Sequence, residues 1–256
     1  MENNIKKENK PTKKRLTLTY RFFYGICKVF FPRVKVTYLA GEPTEPCVFI
    51  ANHAQLYGPV EYSLAFKNKR IWSTSEICNY QEAYEYMYNY AFIAPKRHGQ
   101  WWWKMWSRVS AKLIVKITKD ADVLPVFYNS HRIITTFHDS VESLQQGKNI
   151  IIQPEKPVKY TDYIFEFSEG FVSLGSYYLK HTGKTLAFYP TYLAVQLKTI
   201  LVGEPINYDP TITNAEFAHN LMIKINDLAM SLPKHKAIPF YSEERLELEP
   251  KDNNSH

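Results

Sequence analysis

Apolar residues recur along this chain with two different periods. At 34–39 they alternate with polar ones, as in a half-buried strand, and at 47–51 they run without a break, as in a strand covered on both faces. The segment 58–66 then takes helical spacing, so the first unit is strand, turn, helix. A second unit follows: a strand at 123–127, a helix with Ile134, Phe137, Val141 and Leu144 on one face, a stop at Gly147, and a strand at 149–153. A helix at 171–181 ending at Gly183, strands at 185–195 and 199–202, and a last helix complete the pattern. That last helix opens on a capping box of Thr213 and Glu216 and is closed by Pro233. Strands alternating with helices predict an α/β domain with a largely parallel or mixed sheet flanked by helices on both faces.

Two segments stand outside this pattern. At 16–31, ten apolar and aromatic residues, among them Phe22, Phe23, Phe30 and Phe31, are interrupted by only Arg21 and Lys28 among charges, and Pro32 ends the run. An aromatic helix too short to span, flanked by cations, suits the bilayer interface; it equally suits an N-terminal helix packed on the core. At 101–119, Trp102, Trp106, Val109, Leu113 and Ile117 form one helical stripe beside a basic stripe of Lys104, Arg108, Lys112, Lys116 and Lys119. The ordinary reading of such a basic stripe is a solvated face; its aromatic neighbour also suits an anionic membrane or a nucleic acid.

Composition narrows the class. The 256 residues carry 32 Lys+Arg against 25 Asp+Glu, a formal +7, and 45% are hydrophobic, which argues against a disordered chain and is enough for a core. The charge is uneven: 1–15 is a basic tail and 241–256 an acidic one, both expected to be weakly ordered, and 16–32 is the aromatic helix. That leaves 33–240 as one domain. Cys27, Cys47 and Cys78 include no C-x-x-C pair, so neither a disulfide framework nor a zinc knuckle is expected, and the compartment reads as reducing. His131 and His138 have no matching cysteines, and no metal is expected. No run of eighteen uncharged apolar residues and no signal-peptide core occur, so a cytoplasmic protein, peripheral on the membrane face, is the expectation.

Candidate chemistry gathers at three turns. Asn52 and His53 follow the 47–51 strand, at the carboxyl end where open α/β sheets bind ligands, although a lone histidine there is more often structural than catalytic. Arg132 sits between the 123–127 strand and its helix, where a guanidinium and free backbone N–H groups together suit a phosphate. Pro154 and Glu155 follow the 149–153 strand.

In that order the turns resemble the lysophospholipid acyltransferase family, typified by 1-acylglycerol-3-phosphate acyltransferase. The family pattern has an N-H-x-x-x-x-D turn, an arginine turn, an F-P-E-G turn and a later V-P turn. Here the corresponding residues are Asn52 and His53; Leu124, Pro125 and Val126 leading to Arg132; Leu144 and Gly147 leading to Pro154 and Glu155; and Phe188, Tyr189, Pro190 followed by Val202, Gly203, Glu204 and Pro205. The resemblance covers roughly 34–232. It departs at Gly58, where the family has its aspartate, at Gln153 for the phenylalanine, and at Lys156 and Pro157 for the glycine and threonine.

The resemblance implies a glycerolipid acyltransferase-like fold and a histidine base. His53 would deprotonate the hydroxyl of a lysophospholipid-like or glycerol-phosphate-like acceptor, which attacks the thioester of acyl-CoA or acyl carrier protein with no acyl-enzyme. Arg132 would bind the acceptor phosphate, Glu155 would build that pocket, Asn52 would shape the turn, and Lys156 with Lys159 would alter the charge there. The donor is a substrate, and no further cofactor is implied. With Gly58 unable to orient the imidazole, Glu61 is the nearby carboxylate placed to substitute, against its ordinary reading as an exposed helical glutamate. An aspartate restored at 58 is expected to raise turnover unless the backbone needs glycine there. Two other classes stand beside the enzyme: a non-catalytic relative that keeps a lipid groove, favoured by Gly58, and a nucleic-acid-binding protein, suggested by the positive charge.

Overall fold

The computed structural model describes residues 17–31, 33–55, 57–91, 101–128, 130–156 and 166–238. The two terminal tails, Leu16, Pro32, Pro157 and Lys159 lie outside those residues. In chain order the elements are α1 (Leu18–Phe30), β1 (Lys35–Tyr38), β2 (Val48–Ala51), α2 (Tyr57–Ala65), β3 (Lys69–Thr74), α3 (Tyr80–Tyr86), α4 (Trp101–Asp120), β4 (Leu124–Val126), α5 (Ile133–Gln145), β5 (Asn149–Ile152), α6 (Ser173–Thr182), β6 (Ala187–Ala194), β7 (Thr199–Val202), β8 (Ile206–Asn207) and α7 (Asn214–Met230).

The strands form one sheet in the order β1-β7-β6-β2-β5-β3-β4, with β8 also on β6. The pairs β1–β7, β6–β2, β2–β5, β5–β3 and β3–β4 are parallel; β6 pairs antiparallel with both β7 and β8. The sheet is therefore mixed and mostly parallel, as the strand-helix alternation predicts. Because successive side chains in a strand point to opposite faces, the unbroken apolar runs supply two cores at once. Val48 and Ile50 of β2 with Ile150 and Ile152 of β5 join Phe137 and Leu144 of α5 and Phe217, Leu221 and Ile225 of α7. Phe49 and Ala51 join Ile151 on the other face, beneath Tyr62 of α2 and Phe66.

Local signals place the helix ends. Thr213 caps α7 by accepting from the Glu216 N–H at 3.2 Å, and Gly183 closes α6 with left-handed backbone at φ 69°. Strand β3, helix α3 and strand β8 carry no apolar period that predicts them. Every residue of β3 is only half-buried, although Trp72 stacks on Phe137 and donates from Nε1 to Ser140 Oγ at 2.9 Å.

Since β2, β5, β3 and β4 run in parallel, their carboxyl ends meet one edge of the sheet. The turns carrying His53, Glu155 and Arg132 consequently share that edge.

Candidate functional site

β6 extends past the point where β2 bends away, and the side chain of Asn52 fills the ladder position left vacant. Its Oδ1 accepts from the Leu193 N–H at 2.7 Å and its Nδ2 donates to the Leu193 carbonyl at 3.1 Å, as a further residue of β2 would. Tyr62 Oη donates to the same Oδ1 at 2.7 Å, tying α2 to the strand end. The amide of Asn52 is thus buried and fully occupied in shaping the turn.

The turn itself is tight. Ala54 and Gln55 take left-handed conformations at φ 46° and 52°, which cost a residue with a Cβ of order 1–2 kcal/mol each and persist here under surrounding bonds. Glu155, buried at the end of β5, accepts from the His53 backbone N–H at 3.0 Å through Oε1. Gln153 donates from Nε2 to the Asn52 carbonyl at 3.1 Å. Two residues of the β5 turn therefore hold the single peptide unit that joins Asn52 to His53, one at its carbonyl and one at its N–H.

Helix α2 starts directly against this turn. The Gly58 N–H donates to the His53 carbonyl at 3.1 Å, and a Cβ on residue 58 would lie 2.0 Å from that oxygen and 2.5 Å from Gln153 Nε2. Gly58 is required by space. Gly58 and Gln153, two of the four positions that depart from the resembled motif, lie against each other and form one packing unit.

Glu61 lies one turn further along the same face and is 1% exposed, which corrects its reading as a solvated helical residue. Among the described residues, neither of its carboxylate oxygens has a hydrogen-bond partner, so the bond to His53 that an orienting role requires is not made here. Burial pushes its carboxyl up to about 7, because the charged form loses its water.

Arg132 occupies the N-cap position of α5, three inter-strand spacings or about 14 Å from β2 at the level of the strands. Its guanidinium is 3.8 Å from the centroid of the Phe127 ring. Between the two turns opens a cavity of about 350 Å³, lined by Trp72, Phe127, Ser130, Ile133, Gln153 and Phe171 among others. Gln153 connects this cavity to the His53 turn, and Phe127 connects it to Arg132. Lys156 is drawn into an ion pair with Glu166, and its N–H bonds the Glu166 carbonyl at 3.0 Å, where the chain doubles back on the Pro154–Glu155 turn. Trp72 and Phe171 are the wall residues sequence reasoning misses, since one sits on a strand with no apolar period and the other reads as ordinary helix core. Away from this edge, donor atoms of His138, Asp139 and Glu142 come within 4.8 Å of one another on α5. His138 and Glu142 are exposed, and this group lies off the cavity.

No family model and no curated protein matches the chain. Among solved structures, the chain is similar to the crystal structure of the 1-acyl-sn-glycerophosphate (LPA) acyltransferase PlsC from Thermotoga maritima. The identity is 11%, the match covers 84% of this chain and 83% of that one, and the TM-score is 0.44. Identity at that level gives no residue of this chain a role. No helix among the described residues is long and apolar enough to cross a membrane.

Proposed function

We propose that the protein is an O-acyltransferase that moves a fatty acyl group from a thioester donor, acyl-CoA or acyl carrier protein, to the hydroxyl of a lysophospholipid-like acceptor. The observation that carries this reading is the joint position of the His53 turn and the largely apolar cavity at one sheet edge, bridged by Gln153. In this reading the His53 imidazole takes the proton from the acceptor hydroxyl, whose oxygen bonds to the thioester carbonyl carbon. The carbon–sulfur bond breaks as the tetrahedral intermediate collapses, and the proton passes from His53 to the departing thiolate. Arg132, at an exposed helix start, is assigned to the acceptor phosphate through its guanidinium alone, because the N–H groups of Ile133, Ile134 and Thr135 already donate to the carbonyls of Ser130, His131 and Arg132, so the free N–H groups expected at this helix start are taken.

The test is release of free thiol from acyl-CoA or acyl carrier protein in the presence of lysophosphatidic acid and related acceptors. His53→Ala should lower the rate by about 10²- to 10⁴-fold, the usual contribution of a general base. Undiminished thiol release in His53→Ala overturns the assignment.

A second reading has its own support. The packing around Gly58 leaves no room for the family's orienting carboxylate, and Glu61 makes no bond to the imidazole. A relative that binds lipid in the cavity without turning it over fits those two facts. Saturable binding of lysolipid by wild type with no thiol release from any donor selects it.

A further inference from the structure

Helix α4 exposes large apolar side chains along its N-terminal half, while its C-terminal half keeps Leu113, Ile114, Val115 and Ile117 half-buried. The residues it buries are Ser107, Ala111 and Thr118, while Trp101 is 74% exposed, Trp106 53% and Val109 52%, with Trp102 and Met105 also in solvent. An amphipathic helix of a water-soluble surface does the reverse, burying its large apolar side chains and exposing the small polar ones. The inner face has a reason: small residues let α4 lie close against α3. The outer face has no such reason among the described residues.

Helix α1 carries a second exposed aromatic face, next to the C-terminal end of α4. It has no fully buried residue, and it exposes Leu18, Phe22 (66%), Val29 and Phe30 (78%). It is fastened to α4 by a hydrogen bond from Thr17 Oγ1 to Asp120 and by one from Lys116 Nζ to Thr19 Oγ1 at 2.7 Å. The two helices are neighbours, and both turn aromatic side chains outward.

Their charge is one-sided. Arg21, Lys28, Lys104, Arg108, Lys112, Lys116 and Lys119 stand against Asp120 alone, seven cations to one anion, or +6 of the chain's formal +7. Asp120 is engaged by Thr17. Exposed aromatic rings flanked by cations, with almost no anion among them, match the chemistry of an anionic bilayer surface: rings enter the headgroup boundary while ammonium and guanidinium groups reach lipid phosphates.

We infer that α1 and α4 together form a docking surface for anionic phospholipid membranes, inserting Trp101, Trp102 and Trp106 of α4 and Phe22 and Phe30 of α1. This surface is independent of the chemistry assigned to His53 and stands or falls without it. A nucleic acid is the competing anion, but it offers no apolar layer for Met105, Val109, Leu18 and Val29, and a membrane does.

The full chain is mixed with vesicles of phosphatidylcholine alone and of phosphatidylcholine with phosphatidylglycerol, then sedimented. Binding should be confined to the anionic vesicles, and lipids brominated on their acyl chains should quench the tryptophan emission. Trp101→Ser with Trp106→Ser should weaken binding at least about tenfold with an unchanged melting temperature, since both rings are already in solvent. Lys104→Glu, at an exposed position of α4, should weaken it too, with the loss disappearing at high salt. The inference is overturned by a chain that stays in the supernatant with anionic vesicles, by a tryptophan variant that binds like wild type, by unquenched emission, or by retention of a short oligonucleotide under salt that releases the vesicles.

Discussion

Glu61 is a carboxyl group taken out of water and left without a hydrogen bond among the described residues, an arrangement that costs stability whenever the group is ionised. In the unfolded chain a glutamate titrates near about 4.3, whereas burial raises this one to about 7 in the folded protein. The folded state therefore holds the proton more tightly. The stability that the protonated group allows is fully present below the unfolded value and is lost as pH rises through the folded one. Glu61→Gln removes the titration while keeping the shape. The stability of the variant relative to wild type should grow by roughly 2–3 kcal/mol between pH 5 and pH 8.5. Urea midpoints of both proteins at the two pH values give the difference, and groups common to both cancel. A difference that stays flat across that range would mean that the carboxyl is ionised at ordinary pH and solvated. Spacing alone placed Glu61 one helical turn from residue 58, but burial is a property of what covers α2. The sequence around it, with Tyr57, Glu61 and Ser63 on a short helix, gives no sign of which face turns inward.

At the scale of elements, the start of α2 is governed by backbone packing. The helix begins where the Gly58 N–H reaches the His53 carbonyl, and the Gln153 amide fills the remaining space from the β5 turn. Restoring the family's aspartate at 58 therefore places a Cβ 2.0 Å from a backbone oxygen before its carboxylate can reach anything. Gly58→Ala and Gly58→Asp should lower the melting temperature by similar amounts, at a cost of about 3 kcal/mol or more, because α2 must move off the turn. Neither should raise thiol release. An aspartate variant that melts with wild type and turns over faster would show that α2 has room to move. The positions were legible as spacing: Asn52, His53 and Glu155 follow their strands, and Arg132 starts the helix after β4. What the spacing could not carry is the pairing of Gly58 with Gln153, because these positions lie 95 residues apart and meet only through sheet order.

For the molecule as a whole, the hard information is that order. Apolar runs at β2, β5, β6 and β7 are visible along the chain, since a strand covered on both faces is apolar throughout. Strand β3, opening with Lys69 and Arg70, and the two-residue β8 have no such run and were not foreseen. The more consequential fact is that β6 lies between β2 and β7, and that β1, at residues 35–38, pairs with β7 at 199–202. The first and last thirds of the chain thus interlock in one sheet. A chain ended after Gly183 loses β6, β7, β8 and α7. It leaves β1 without its partner, β2 with an open edge, and Val48, Ile50 and Ile150 without Phe188, Phe217, Leu221 and Ile225 above them. Removing that many core side chains far exceeds a typical total stability of about 5–15 kcal/mol. The 1–183 fragment should show no cooperative urea transition and no near-ultraviolet dichroism, where the full chain shows both. A sharp transition in the fragment would instead establish that residues up to 183 fold by themselves, and that β6 to α7 dock onto a preformed half.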